Sequence, residues 1–106
     1  MSDYLIIEAR DPFDSADVAN AQALAAGLAD NGSNVTMYLV QNGVIPARAG
    51  SSAAGDLTAL AGKVEILADD FSLRERGITQ LADGIGESDI DNLVDLLADG
   101  RKVMWH

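Results

Sequence analysis

The fold is decided by the stretch Val35-Thr36-Met37-Tyr38-Leu39-Val40-Gln41-Asn42-Gly43, a β-rich apolar run that ends in a strong turn signal. It predicts a strand over Val35–Val40. The segment before it repeats apolar residues at helical spacing, which predicts a helix over Ser15–Asp30. We expect Asp14 to cap that helix and Gly32 to end it.

Three further strands are predicted around this unit. Tyr4–Glu8 and Val64–Leu67 are short apolar runs without helical spacing, and Lys102–Trp105 is a terminal strand. The connection after Gly43 contains only one convincing helical segment, Asp56–Ala61. Strands that alternate with helices, without tight hairpins, indicate parallel pairing through right-handed crossovers. The fold class is therefore α/β, a three-layer sandwich with a mostly parallel sheet of four to five strands.

The last third of the chain carries two helix-start signals. Ser72-Leu73-Arg74-Glu75 reads as a capping box, and Ser88 is expected to cap the last helix. In that helix, one apolar face is predicted from Ile90, Leu93, Val94 and Leu97. Leu81–Glu87, with two glycines, reads as a loop.

Composition limits the functional classes. A chain of 106 residues predicts one domain, 1–106. It contains no cysteine, so disulfides and thiolate chemistry of its own are excluded. A formal charge of −10 disfavours nucleic acid and anionic lipid. Without a basic leader or a long apolar run, we expect a soluble, cytoplasmic protein that does not bind membranes.

A ligand site is expected beyond the carboxyl ends of the strands, as in other open parallel sheets. That rule selects the loops after the first three strands. The candidate ligand-binding residues that they carry are Asp11, Asn42, Asp69, Asp70, Ser72, Arg74 and Arg76.

Each candidate also has a purely structural interpretation. Asp69 and Asp70 could hold a divalent metal, or one of them could cap a short helix. Arg74 and Arg76 could clamp an anion, or could form ion pairs within the chain or with a neighbouring subunit. Asn42-Gly43 could line the crevice, or Gly43 could only supply a backbone angle that other residues resist. His106, placed at a mobile terminus, is expected to be a poor general base.

The segments Tyr4-Leu5-Ile6-Ile7, Val35 through Val44 and Leu73-Arg74-Glu75-Arg76-Gly77-Ile78, in this order and spacing, resemble the DsrE/DsrF-like family, which includes TusD. The likeness extends to Val103-Met104-Trp105 and so covers nearly the whole chain. It implies a flavodoxin-like fold and homo-oligomers, trimers or hexamers, or assemblies of related subunits in sulfur-relay and sulfur-oxidation systems.

The resemblance also implies where this chain departs from the family. In sulfur-carrying members, the persulfide-bearing cysteine follows the third strand a few residues before an Arg-Gly pair. Counting back from Arg76-Gly77 places it at or beside Asp69, and a carboxylate cannot form a persulfide.

We therefore expect a non-catalytic oligomeric protein that binds a partner or a small polar ligand at the rim, with no catalytic residue, metal or cofactor. The alternatives are an accessory subunit of a sulfur-relay or sulfur-oxidation complex, or a metal-dependent enzyme using the Asp69 loop.

Overall fold

A five-stranded parallel sheet forms the centre of the computed structural model, which describes residues 3–106. In chain order, the strands are Asp3–Glu8 (β1), Asn34–Leu39 (β2), Glu65–Asp69 (β3), Ile85–Ser88 (β4) and Lys102–Trp105 (β5). The helices are Asp17–Asp30 (α1), Ala54–Ala61 (α2), Asp70–Glu75 (α3) and Ile90–Ala98 (α4), and a 3₁₀ segment covers Gln41–Ala47. The strand order is β4-β3-β2-β1-β5, and all four pairs are parallel. The predicted α/β sandwich is confirmed.

The two faces of the sheet are covered unequally. On one face, α1, α2, α3 and the 3₁₀ segment pack on a large cluster that includes Ile6, Met37 and Ile66. On the other face, Leu93 of α4 packs with Leu5, Ile7 and Tyr38. Alternate strand residues point to opposite faces, so β1, β2 and β3 supply residues to both clusters.

β4 corrects the prediction that Leu81–Glu87 is a loop. This strand pairs with β3, with Ile66 opposite Ile85 and Asp69 opposite Ser88. It has four residues and lies at the sheet edge, with a glycine, Gly86, in its interior. Because the segment contains a glycine and is partly exposed, it lacks the apolar run that identifies a strand in sequence. Backbone pairing with β3 stabilises it as a strand instead.

The predicted helix starts were wrong in position. α3 begins at Asp70 with Asp69 as its N-cap, so Ser72 lies inside the helix and forms no capping box with Glu75. The N-cap of α4 is also an aspartate, because Asp89, and not the predicted Ser88, accepts the backbone N–H of Asn92.

α1 and α2 also differ from the prediction. α1 starts at Asp17 after Ala16, and no side chain caps it, so Asp14 is not its cap. Asp14 instead closes a turn, its N–H donating to the carbonyl of Asp11. α2 begins at Ala54, two residues before the predicted Asp56.

Gly43 has a different role from the predicted one. Its φ is not in the left-handed region, whereas Gln41 before it has a φ of 51°. A Cβ on Gly43 would collide with the carbonyl oxygen of Glu8 and would lie 2.9 Å from its carbonyl carbon. Glycine is needed here for close backbone approach between the 3₁₀ segment and the end of β1.

The apolar face of α4 is only partly buried. Leu93 is 5% exposed, but Ile90, Val94 and Leu97 are 60%, 54% and 41% exposed. Leu93 and Leu96 pack against the sheet. The more exposed apolar residues recur at i, i+4 and i+7, starting from Ile90, and form a stripe along the helix flank. We call Ile90, Val94 and Leu97 the α4 stripe.

Candidate functional site

A buried carboxylate joins the ends of β2 and β3. Asp69 is 8% exposed, and its Oδ2 accepts the backbone N–H of Ser72 at 3.0 Å and the Ser72 hydroxyl at 2.7 Å. The same hydroxyl oxygen accepts the N–H of Gln41 at 2.9 Å. Asp69 therefore caps α3 and, through Ser72, fixes the start of the 3₁₀ segment.

Arg76 joins the same two loops from outside. Its Nε and Nη2 donate to Oδ1 of Asn42 at 3.3 and 3.0 Å, and its Nη1 donates to the carbonyl of Ser72 at 3.2 Å. The guanidinium thus has partners inside the chain, but they are an amide and a backbone carbonyl and not the carboxylate of the predicted ion pair. An anion that bound Arg76 would compete with these bonds.

A cleft of about 550 Å³ lies next to this network, at the ends of β3 and β4. Its lining residues are Asp69, Asp70, Phe71, Arg74, Asp89 and Ile90. Along α3, one turn apart, Nη1 of Arg74 lies 3.5 Å from a carboxylate oxygen of Asp70. Phe71 is 57% exposed, so this cleft combines charged side chains with exposed apolar surface.

Asp11 lies apart from the other candidates. It is buried in the loop after β1, where its Oδ1 accepts the N–H of Phe13 at 3.1 Å. Its carbonyl accepts the N–H groups of Asp14 and Ser15. Asp11 therefore organises its own loop, and a ligand-binding role for the seven candidates stays a prediction.

Sequence reasoning missed Glu8 and His106 as a pair. Glu8 is 1% exposed, and both of its carboxylate oxygens lie 2.8 Å from Nδ1 of His106. His106 is held by its backbone, whose N–H donates to Ile7 and whose carbonyl accepts from Ala9, so the predicted mobile position was wrong. The two residues are 98 positions apart, and only the adjacency of β1 and β5 brings them together.

One titratable group near the rim has a perturbed pKa. Burial raises the pKa of Tyr38 above its usual value, and the carboxylates of Asp69, Asp70 and Asp89 add to that shift, against a hydrogen bond with Ser88 that lowers it. The Tyr38 hydroxyl donates to the carbonyl of Asp89 at 2.7 Å. It stays neutral and holds the start of α4 to β2.

Within residues 3–106, no three His, Asp or Glu side chains are placed to hold a metal ion. None of the helices in the same range is long and apolar enough to span a bilayer.

Comparisons with known proteins place the chain among relatives of the predicted kind. A family model described as DsrH like protein matches residues 12–103. This family is of the DsrE/DsrF/TusB type, which confirms the predicted superfamily, although the narrower DsrE/TusD assignment is not the one matched. No curated protein matches the sequence.

Solved structures show the same fold at low sequence identity. The ychN protein from E. coli is 20% identical with a TM-score of 0.91, and all of both chains is covered. MTH1491 from Methanobacterium thermoautotrophicum, of unknown function, is 20% identical with a TM-score of 0.81 over 99% of this chain and 98% of that one. BT1422 from Bacteroides thetaiotaomicron, also of unknown function, is 16% identical with a TM-score of 0.82 over 99% and 95%.

Proposed function

We propose, from the premise that this chain belongs to the DsrH-like protein family, that it is a thiol-free subunit of a sulfur-relay or sulfur-oxidation assembly. In this proposal, it binds a related subunit that supplies the reactive cysteine. The observation that carries the proposal is the absence of any cysteine from a chain of this family. Sulfane sulfur is held on a thiolate, so a cysteine-free member can take part only beside a thiol from another chain.

The surroundings of Asp69 support a structural role at the position where the resemblance places the persulfide cysteine. Its carboxylate is buried and has two hydrogen bonds from Ser72. The Oδ2 atom used in this way stabilises the loop. The position that would carry sulfur in a relative thus serves the scaffold here.

A docking surface for the partner is offered by Phe71 together with the α4 stripe. Phe71 and Ile90 line the same cleft, and Val94 and Leu97 continue the exposed apolar surface along α4. Contiguous exposed apolar surface on a small domain is typical of a contact between proteins.

The charge beside the stripe favours a partner different from this chain. α4 contains Asp91 and Asp95, its caps are Asp89 and Asp99, and it has no Lys or Arg. Two copies meeting through a two-fold axis would bring these carboxylates together, which is unfavourable. A related subunit with apolar residues and basic neighbours fits this surface better. The predicted homo-oligomer remains the competing proposal.

A small polar ligand at the rim is the weaker of the two binding proposals. Asp69, Ser72, Asn42 and Arg76 already bond to one another or to nearby backbone. A polar ligand would have to replace those bonds, whereas a protein partner would use the apolar surface that is still exposed.

The test is capture of a partner from a lysate of the source cells, with detection of persulfides on the captured protein. Tagged wild type and a Val94→Asp variant serve as bait, and Leu24→Asp is the matched control because Leu24 is an exposed apolar residue on α1, across the sheet. We expect wild type and Leu24→Asp to retain a cysteine-bearing protein of this fold that carries sulfane sulfur, and Val94→Asp to lose it.

Two results would contradict the proposal. One is capture of no persulfide-bearing relative by the wild type, and the other is equal capture by Val94→Asp. Light scattering on the purified chain tests self-association. A stable trimer or hexamer of this chain alone that Val94→Asp dissociates would assign the α4 stripe to a second copy.

A further inference from the structure

The chain reverses its direction of winding between β1 and β5. From β1 the strands proceed to β2, β3 and β4 on one side, and β5 then returns to the opposite side of β1. In open parallel sheets, ligands bind in the crevice outside the carboxyl ends of the two strands at such a reversal. Without the position of β5, the same rule predicts a site at the loops after β1, β2 and β3. The structure moves the point of reversal to Glu8 and His106.

The Glu8–His106 pair fixes one nitrogen of the imidazole. Glu8 also accepts the N–H of Arg10 at 3.2 Å, and within residues 3–106 it is paired with no Lys or Arg. An ionised carboxylate only accepts hydrogen bonds, so Nδ1 of His106 carries the proton that joins them. In a neutral imidazole, Nε2 is then the acceptor.

Nε2 of His106 has no hydrogen-bond partner among residues 3–106. The His106 side chain is about one quarter exposed, so this nitrogen is reachable by a small molecule. Carboxylate–imidazole pairs of this kind are used in proteins to present the second ring nitrogen to a ligand or substrate.

A cleft of about 570 Å³ lies beside His106, between α1 and β5. Ile6, Ala21, Leu24 and Met104 make most of its lining apolar, and its other lining residues are Asp17, Asn20, Trp105 and His106. It exists because β5 is an edge strand that α1 does not cover fully, as the 47% exposure of Leu24 shows. A mainly apolar cleft with a few convergent polar groups is the usual form of a small-molecule site.

We infer that this cleft binds a small, uncharged, mainly apolar molecule with one N–H or O–H group, which donates to Nε2 of His106. The ligand is a donor because the nitrogen that faces away from Glu8 is an acceptor, and because Asp17 adds a second acceptor to the cleft wall. Anions are disfavoured by Glu8 and by the net charge of −10, whereas the charge of Asp17 is partly balanced by Arg10, whose Nη1 lies 3.7 Å from its Oδ2. This inference is independent of the proposed partner surface, which lies at β3 and α4.

The tautomer of His106 gives the first measurement, and it needs no variant. Long-range ¹H–¹⁵N spectra of the labelled wild type should show Nδ1 protonated and Nε2 bare. A spectrum with the proton on Nε2 would overturn the inference, since the cleft would then present a donor.

The second measurement compares phenol and anisole as probes. They share an aromatic ring, but methylation removes the donor from anisole. In amide chemical-shift titrations, we expect phenol to shift Asn20, Leu24 and Met104 and to bind about fivefold more tightly than anisole, the effect of one hydrogen bond. Equal affinities, or no shifts at these residues with either probe, would refute the proposed donor–acceptor contact.

A variant and its control test whether His106 causes the preference for phenol over anisole. His106→Phe keeps a ring but has no acceptor, and it should reduce the affinity for phenol to that for anisole. Thr58→Ala is the control, because Thr58 lies on α2 away from the cleft and should leave both affinities unchanged. A preference for phenol that persists in His106→Phe would show that Nε2 is not the acceptor. Anisole binding measures the apolar contacts of the cleft alone. If His106→Phe bound neither probe and still had a native spectrum, that result would also count against the inference.

Discussion

Asp69→Ala should destabilise the protein far more than removal of an ordinary helix cap. The substitution takes away the N-cap of α3, whose loss typically costs about 1 kcal/mol. It also leaves the buried Ser72 hydroxyl without the acceptor that it reaches at 2.7 Å, which costs about 1–3 kcal/mol for a buried polar group. The two terms give a loss of about 2–4 kcal/mol in the free energy of unfolding.

The loss should appear in urea and thermal unfolding followed by circular dichroism. For a domain of this size, it corresponds to a fall in Tm of roughly 10–20 °C. Asp89→Ala is the matched control, since Asp89 caps α4 by one exposed hydrogen bond to Asn92 and should cost about 1 kcal/mol.

A double-mutant cycle with Ser72→Ala then isolates the pair. Because Ser72 needs Asp69 as its acceptor, Ser72→Ala should cost markedly less in the Asp69→Ala background than in wild type. If Asp69→Ala were no more harmful than Asp89→Ala, or if the two substitutions were strictly additive, the buried network would not be what holds the β2 and β3 loops together.

Four other substitutions test the rest of the fold. Gly43→Ala should cost about 3 kcal/mol or more in urea unfolding, because its Cβ meets the carbonyl of Glu8; a loss below about 1 kcal/mol would contradict the close approach. Because burial raises the pKa of Tyr38, its contribution to stability is complete below about pH 10 and is lost as pH rises through the folded-state pKa. Tyr38→Phe should therefore reduce the decrease of the urea unfolding midpoint at alkaline pH. An equal decrease in wild type and variant would refute this role of Tyr38. Leu93→Ala should cost about 2–4 kcal/mol whereas Val94→Asp stays within about 0.5 kcal/mol, and similar costs for both would contradict the partial burial of α4.

The sequence predicts the elements whose signals are local. The apolar runs of β1, β2 and β3 and the helical repeat of α1 were all recognised, since periodicity and turn residues are properties of neighbouring positions. β4 was missed because its strand character comes from pairing with β3. For α4, periodicity predicts an apolar face but not how far the helix is rotated against the sheet, which decides that Leu93 is buried and Val94 is not.

The site was predictable only in part, for a related reason. That Asp69 and Asn42 lie at one edge of the sheet follows from parallel topology, but the bonds among Asp69, Ser72 and Gln41 depend on side-chain positions across two loops. The contact of Glu8 with His106 depends on strand order, because β5 could also have been placed beside β4.

Within residues 3–106, α4 is the single helix over one side of the sheet, so binding of the proposed partner would be coupled to folding. α4 has nine residues, too few for a stable helix in water by itself, yet Leu5, Ile7 and Tyr38 depend on it for shelter from solvent. Transient detachment of this one helix would open the smaller of the two hydrophobic clusters, so amides there should exchange with solvent before those under α1 and α2. A subunit that binds the outer flank of α4 would suppress this opening. The isolated chain would then be less stable than the same chain in its complex.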